Sequence, residues 1–414
     1  MIAARGAGWV VRTIGETLVA TVPGARIGDG VRVGRPPRVC GTVAAVDRDR
    51  ATVVPFGSLA GIAVGDRVVI DPAALAFPLG FACLGRVVDA GGAALDAGAS
   101  LAGARRPIGA GLAPDPVDRQ PITEPFWTGV PAIDGPLTIG RGARVGFFGA
   151  PGAGKTTLLE TIVSGARADA VVLALVGERG REAQTWAGRV DARTTIVCAT
   201  SDRSAAERAR AAEAAMAQAC ALRERGLHVL LVVDSLARYA AALREQRVAI
   251  GEPVGRGGYP PSVWADLARF LERAGTAARG SVTLLATVLS DGSDEREPLS
   301  DAARSLLDGH VALSSDLARA GRFPAIDVLA SASRTAQNVV SAAHAVEAAS
   351  LREALALLER TRDARDVGLA AIDGALRRAV DAEFALDAFL RQRGSAAPEA
   401  TLAALHALAG SLGV

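Results

Sequence analysis

The sequence predicts an α/β protein in three parts: a small N-terminal β-barrel (residues 1–78), a central α/β domain on a mainly parallel sheet (79–340), and a helical C-terminal domain (341–414). Three observations predict it. Short β-rich runs crowd the start of the chain, continuous apolar runs alternate with helical patterns in the middle, and Ala, Leu, Arg and Glu at helical spacing dominate after about residue 340. At 414 residues there is length for two or three domains and a large core.

In the first part, the runs WVVRTI, TLVATV, RVCGTVAAVD, RATVVPF and RVVID are separated by turns such as VPGARIGDG. Closely spaced short strands suggest a small closed barrel. Barrels of this size can bind oligonucleotides through aromatic and basic faces, but this one carries only Trp9 and Phe56. An assembly role is expected instead.

Residues 77–136 are rich in Gly, Ala and Pro, too regular in apolar spacing for a disordered linker and too punctuated for long helices. They are expected to lead into the central domain. There RVGFFG, AVVLALVG, TTIVCAT, HVLLVVD and SVTLLATVL interleave with helical stretches, the pattern of a parallel sheet covered on both faces. Ligands of such sheets sit at the carboxyl ends of the strands. The last part, with VEAASLREALALLERTRDARDV, FALDAFLRQR and PEATLAALHALAGSLGV, reads as amphipathic helices.

Half of the residues are hydrophobic, yet no run approaches the ~18 or more apolar residues that would span a bilayer. The opening MIAARGAGWVVRTIGE has neither a continuous apolar region nor a small-residue cleavage site, so a cytoplasmic protein is expected. A net charge of +2 argues against a nucleic-acid surface covering the molecule. Cys40, Cys83, Cys198 and Cys220 lie far apart without a C-x-x-C, as free thiols do. His228, His310, His344 and His406 are equally scattered, and structural or surface roles are expected for them.

Residues 149–157 read GAPGAGKTT between an apolar strand and a helical LLETIV, which is the phosphate-binding pattern G-x-x-x-x-G-K-[ST]. Gly149, Ala150, Pro151, Gly152, Ala153 and Gly154 would wrap backbone N–H groups round a phosphate. Lys155 reaches the β and γ phosphates of ATP, and the Thr156 hydroxyl, followed by Thr157, serves Mg²⁺. Lys155 is the sole lysine, the other 45 of 46 basic side chains being arginine. A compact ammonium fits a backbone cradle where a forked guanidinium does not.

HVLLVVD places Asp234 at a strand end, where a carboxylate can hold Mg²⁺; the alternative is a helix cap. AVVLALVGERGRE places Glu178 after another strand, as the group that polarises the attacking water. Its alternative is an ion pair with a nearby arginine, since Arg179, Arg181 and Glu182 follow in the same turn. FPAIDVLASASR ends in Arg334, a surface cation or an arginine finger reaching a neighbouring subunit's phosphate. Phe323 could stack on adenine or pack in the core.

Together RQPITEPFWTGVPAIDG, GAPGAGKTT, GERGRE, LLVVDSLARYA, GEPVGRGGYPPSV, LLDGHVALSSDLA and FPAIDVLASASR stand in the order seen in one family. Over residues 15–390 the chain resembles the ATPases of type III protein secretion systems, relatives of the rotary F-type ATPase catalytic subunits. The resemblance implies a RecA-like P-loop domain and a homohexamer at the inner-membrane face of the export gate, peripheral to the membrane, with no nucleic acid. Stator and central stalk proteins would bind it, and ATP would drive release of chaperones from substrates and their unfolding. It also implies Glu178 as catalytic glutamate, Lys155 and Thr156 on phosphate and magnesium, Asp234 as Walker B aspartate and Arg334 as the finger. Arg179 and Glu182 match further active-site positions, Glu182 on the metal side. Phe323 stands where the family usually has an adenine-contacting tyrosine, and residues 255–262 resemble the loop facing the central pore.

Three stretches depart from the family pattern. The barrel pattern begins within about ten residues, where family members usually carry a longer polar extension that binds stator and lipid, so stator docking through such an arm is not expected; DVGLAAIDGALRRAV lacks the usual aromatic; and SASRTAQNVV carries a less usual TAQ. The injectisome type is expected over the flagellar export ATPase. A hexameric RNA translocase would need an aromatic, basic barrel face, and a non-catalytic ring subunit would lack the Glu178 and Lys155 pair.

Overall fold

The computed structural model describes residues 6–36, 38–101, 105–108, 113–289, 298–367 and 374–413. The first five residues of the N-terminal reading, parts of 77–136, and residues 368–373 of DVGLAAIDGALRRAV lie outside them. Two compact units divide the chain: Met1–Pro114 with Ala170–Arg273, and Asp115–Asp169 with Ala274–Val414.

In the first unit six strands close into a barrel: β1 (Ala7–Ile14), β2 (Thr17–Thr21), β3 (Gly30–Val33), β4 (Val39–Asp47), β5 (Arg50–Pro55) and β6 (Arg67–Ile70), in the order β1-β2-β5-β4-β3-β6. All neighbours are antiparallel. Alternation decides the faces: Val10, Leu18, Ala20, Val31, Val33, Val43, Ala51, Val53 and Val68 turn inward and form one cluster. Closure removes the unpaired edges that so small a sheet would otherwise expose.

The same unit holds four parallel strands in the order Arg86–Asp89, Thr194–Thr200, Ala170–Glu178, His228–Asp234. The Gly/Ala/Pro-rich stretch thus supplies an edge strand as well as a connection. Ala170–Glu178 and His228–Asp234 are buried at every position, as their unbroken apolar runs require. Helix Ala205–Arg223 covers them, opened by a capping box in which Ser204 and Glu207 satisfy each other's backbone N–H. Its alanines let it lie close on the strands.

In the second unit Arg144–Gly149 lies between Ser281–Leu289 and Gly309–Leu313, all parallel, and Ile326–Ser333 closes that edge antiparallel. Helices Ala342–Asp366, Gly374–Asp381, Glu383–Leu390 and Pro398–Leu412 follow, packed through Leu351, Leu358, Leu376, Leu386, Leu405 and Leu408. The His344 ring Nε2 donates to the Gly135 carbonyl at 2.8 Å, tying the first of these helices down. Among the described residues no helix is long and apolar enough to cross a membrane.

Candidate active site

The phosphate loop belongs to the second unit. Strand Arg144–Gly149 ends at it and helix Lys155–Gly165 begins it. Gly152 (φ 83°) and Gly154 (φ 86°) hold left-handed backbone that side-chain-bearing residues resist. Gly154 caps the helix without any side-chain bond, so its first N–H groups face the loop, the arrangement that receives phosphate oxygens. Lys155 Nζ donates to the Gly149 carbonyl at 2.5 Å and the Ala150 carbonyl at 2.7 Å. The ammonium sits inside the turn of its own loop, in a space suited to a point charge.

Phe323 lies against this loop. A Cβ built on Gly154 would stand 3.6 Å from its ring, and the side chain is 48% exposed, so it is a surface ring at the loop and not core packing. Arg334 follows the edge strand directly; its backbone N–H donates to the Asp308 carbonyl at 2.9 Å. The guanidinium is exposed and makes no ion pair among the described residues. Thr335, in the unusual TAQ, is buried and accepts from the Gly140 N–H at 3.0 Å.

The carboxylates belong to the first unit. Leu175 pairs with Asp234, so Glu178 and Asp234 end adjacent parallel strands at their carboxyl edge. The register slips between Val176 and Glu178, with Gly177 at φ 65°. A side chain there would press on the Arg238 and Arg208 stems, its Cβ 3.3 and 3.4 Å from their Cδ atoms.

Glu178 is buried and forms an ion pair with Arg238. The partner is neither Arg179 nor Arg181, which stand exposed; among the described residues no ion pair links them to each other or to Glu182. Arg179 closes the start of helix Gly180–Ala187, its carbonyl accepting from the Glu182 N–H at 2.9 Å. Arg238 lies in the first turn of helix Leu236–Ala249, and burial pushes its pKa down, leaving it a cation. That helix is capped by Ser235, whose Oγ accepts from the Arg238 N–H at 3.2 Å. Ser235 takes the capping role that was the alternative for Asp234.

Arg238 is the site residue that sequence reasoning missed. Residue order places it one helical turn beyond Asp234, but only the parallel pairing of the two strands brings it to Glu178. Asp234 and Thr156 each offer hard oxygen, the donor type that takes Mg²⁺ along with phosphate oxygens. Among the described residues no group of three His, Cys, Asp or Glu could hold a metal alone.

The pattern of the ATP synthase alpha/beta family, nucleotide-binding domain, matches residues 129–333. The chain is 40% identical to the SPI-2 type 3 secretion system ATPase of Salmonella typhimurium over 406 residues, 96% of this chain and 93% of that one. It is also 40% identical to the flagellum-specific ATP synthase of Pseudomonas aeruginosa over 373 residues, 87% and 83% of the two. Among solved structures it is similar to the assembled ATPase EscN of the enteropathogenic E. coli type III secretion system, with TM-score 0.92, 37% identity and coverage of 97% and 100%. EscN in complex with its central stalk EscO is similar at TM-score 0.90, with the same identity and coverage.

Proposed function

This chain belongs to the family of type III secretion system ATPases and hydrolyses ATP to drive protein export, and we propose that it works as a homohexamer with active sites shared between neighbouring copies. The observation that carries this reading is that one chain holds both a phosphate loop with its only lysine and, in its other unit, two carboxylates ending adjacent strands. Lys155 and the backbone of residues 149–157 bind the phosphates, and Phe323 takes the adenine. Glu178 orients and deprotonates the attacking water, and Arg238 positions Glu178. Thr156, Asp234 and Glu182 would hold Mg²⁺, which would neutralise the charge on the transferring phosphoryl group. Arg334 of the adjacent copy supplies the trans guanidinium, and Arg179 assists on the phosphate side.

The injectisome type is favoured over the flagellar one because the SPI-2 enzyme aligns over 96% of this chain and 93% of its own length, against 87% and 83% for the flagellar enzyme of Pseudomonas aeruginosa. EscN, solved assembled and with a central stalk, supports a ring and a stalk partner here. Chaperone–substrate complexes, stator and export gate complete the proposed partners, at the cytoplasmic face of the inner membrane, without nucleic acid. The domain limits proposed are 78/79 and 340/341. ATPase rate measured against protein concentration tests the reading: specific activity rises with assembly, and equal rates for dilute monomers and rings would overturn it.

A further inference from the structure

Within the first unit lies a cavity of about 920 Å³, lined by four arginines from different elements. Arg32 comes from β3, Arg38 precedes β4, Arg105 lies on the short strand Arg105–Pro107, and Arg210 is on helix Ala205–Arg223. Asp71 neutralises Arg32, accepting from its Nε at 2.5 Å. The other three have no carboxylate partner among the described residues. Arg105 Nη2 donates to the Gly91 carbonyl at 2.6 Å.

Arg210 is the unusual one, only 7% exposed. Its Nε donates to the Ala90 carbonyl and its Nη2 to the Leu75 carbonyl, each at 3.0 Å, and the guanidinium lies 4.4 Å over the Phe56 ring. A buried charge is ordinarily matched by an opposite one, because desolvation is costly without it. Burial pushes the Arg210 pKa down to about 10. Two carboxylates face the cavity, and both are engaged elsewhere. Asp89 accepts from the Gly91 and Ala93 N–H groups, and Glu207 from the Ser204 N–H and hydroxyl. Asp89 acts on Arg210 and Asp71 on Arg38 only at a distance, so among the described residues three guanidinium groups share a ligand-sized space without a contacting carboxylate.

We propose that this cavity binds a small phosphorylated anion, held by Arg38, Arg105 and Arg210, with its body against Phe56 and Pro107. Forked guanidiniums converging from separate elements match the several oxygens of a phosphoryl group better than a single carboxylate. The volume suits a ligand of nucleotide size. The site lies outside the phosphate loop and is assigned no part in hydrolysis.

Calorimetric titration of the full chain, with the phosphate loop first filled by one equivalent per chain of Mg²⁺ and a non-hydrolysable ATP analogue and no excess left free, tests this. Inorganic pyrophosphate and GMP are the two probes. At least one binds at one further equivalent per chain: pyrophosphate alone indicates a free phosphate ligand, and tighter GMP a nucleotide. Arg38→Ala and Arg105→Ala, both at exposed positions, each weaken that binding about tenfold and reduce the melting-temperature rise the probe produces. If neither probe binds at millimolar concentration, or if both variants bind and are stabilised as the parent is, the proposal is wrong.

Discussion

Glu178 is held by Arg238, a cation on the helix that begins at the end of the Asp234 strand. The side chain proposed to act on water is thus oriented from the element that carries the second carboxylate. A shift of the Leu236–Ala249 helix would move Arg238 and change how Glu178 is presented. The contact couples the ends of two neighbouring strands through a side chain instead of the backbone ladder.

Arg238→Gln removes the cation and leaves a buried carboxylate. With Arg238 about one-third exposed, the loss in unfolding free energy is expected at roughly 1–3 kcal/mol, below that of a fully buried pair. Pairing it with Glu178→Gln recovers part of the loss, so a double-mutant cycle by urea denaturation gives a positive coupling. A coupling of zero would mean the ion pair does not hold Glu178.

Glu178→Gln keeps the shape of the side chain and removes its basicity. Nucleotide affinity, read by fluorescent-analogue titration, stays near that of the parent, while steady-state turnover falls about 10²-fold or more. Parental turnover in this variant would rule Glu178 out as the base.

Much of this was legible in residue order. Five apolar runs of the central region appear as strands because buried parallel strands need apolar residues on both faces. GAPGAGKTT declares its loop through glycines at Gly152 and Gly154, where the backbone is left-handed. Arg238 was not legible as the Glu178 partner, because local spacing favoured Arg179 and Arg181 and only the folded sheet sets the two strand ends side by side. The Arg86–Asp89 strand was obscured by its Gly- and Ala-rich surroundings. The arginine cavity depends on four elements that have no common sequence signature.

Arg334→Ala should leave the fold alone, since the guanidinium is exposed and makes no ion pair among the described residues. Melting temperature and nucleotide binding remain parental, while turnover at assembling concentrations falls about 10³-fold. Mixing Arg334→Ala with Lys155→Ala chains restores some activity if sites form between copies, and restores none if each chain acts alone.

Asp134 gives a pH signature. It is fully buried, and burial pushes its pKa up to about 6, although the Thr128 N–H and hydroxyl and the Gly129 N–H all donate to it. A folded-state pKa above the unfolded one means that the folded chain binds the extra proton. The contribution therefore favours folding at low pH and is lost as pH rises from about 4 to about 6, a change of roughly 3 kcal/mol. Asp134→Asn lacks this slope. Unfolding free energies of parent and variant, compared between pH 4 and 7, should show the parent's relative stability declining with pH; a rising difference would contradict the assignment.

The solitary lysine has an analytical consequence. An acylating reagent meets one side-chain amine in the whole chain, and that amine lies within hydrogen-bonding distance of the Gly149 and Ala150 carbonyls. Beyond any α-amine, a single mass increment therefore reports the phosphate loop. Shielding of that increment by nucleotide would count filled loops one chain at a time, inside an assembly and without an introduced label.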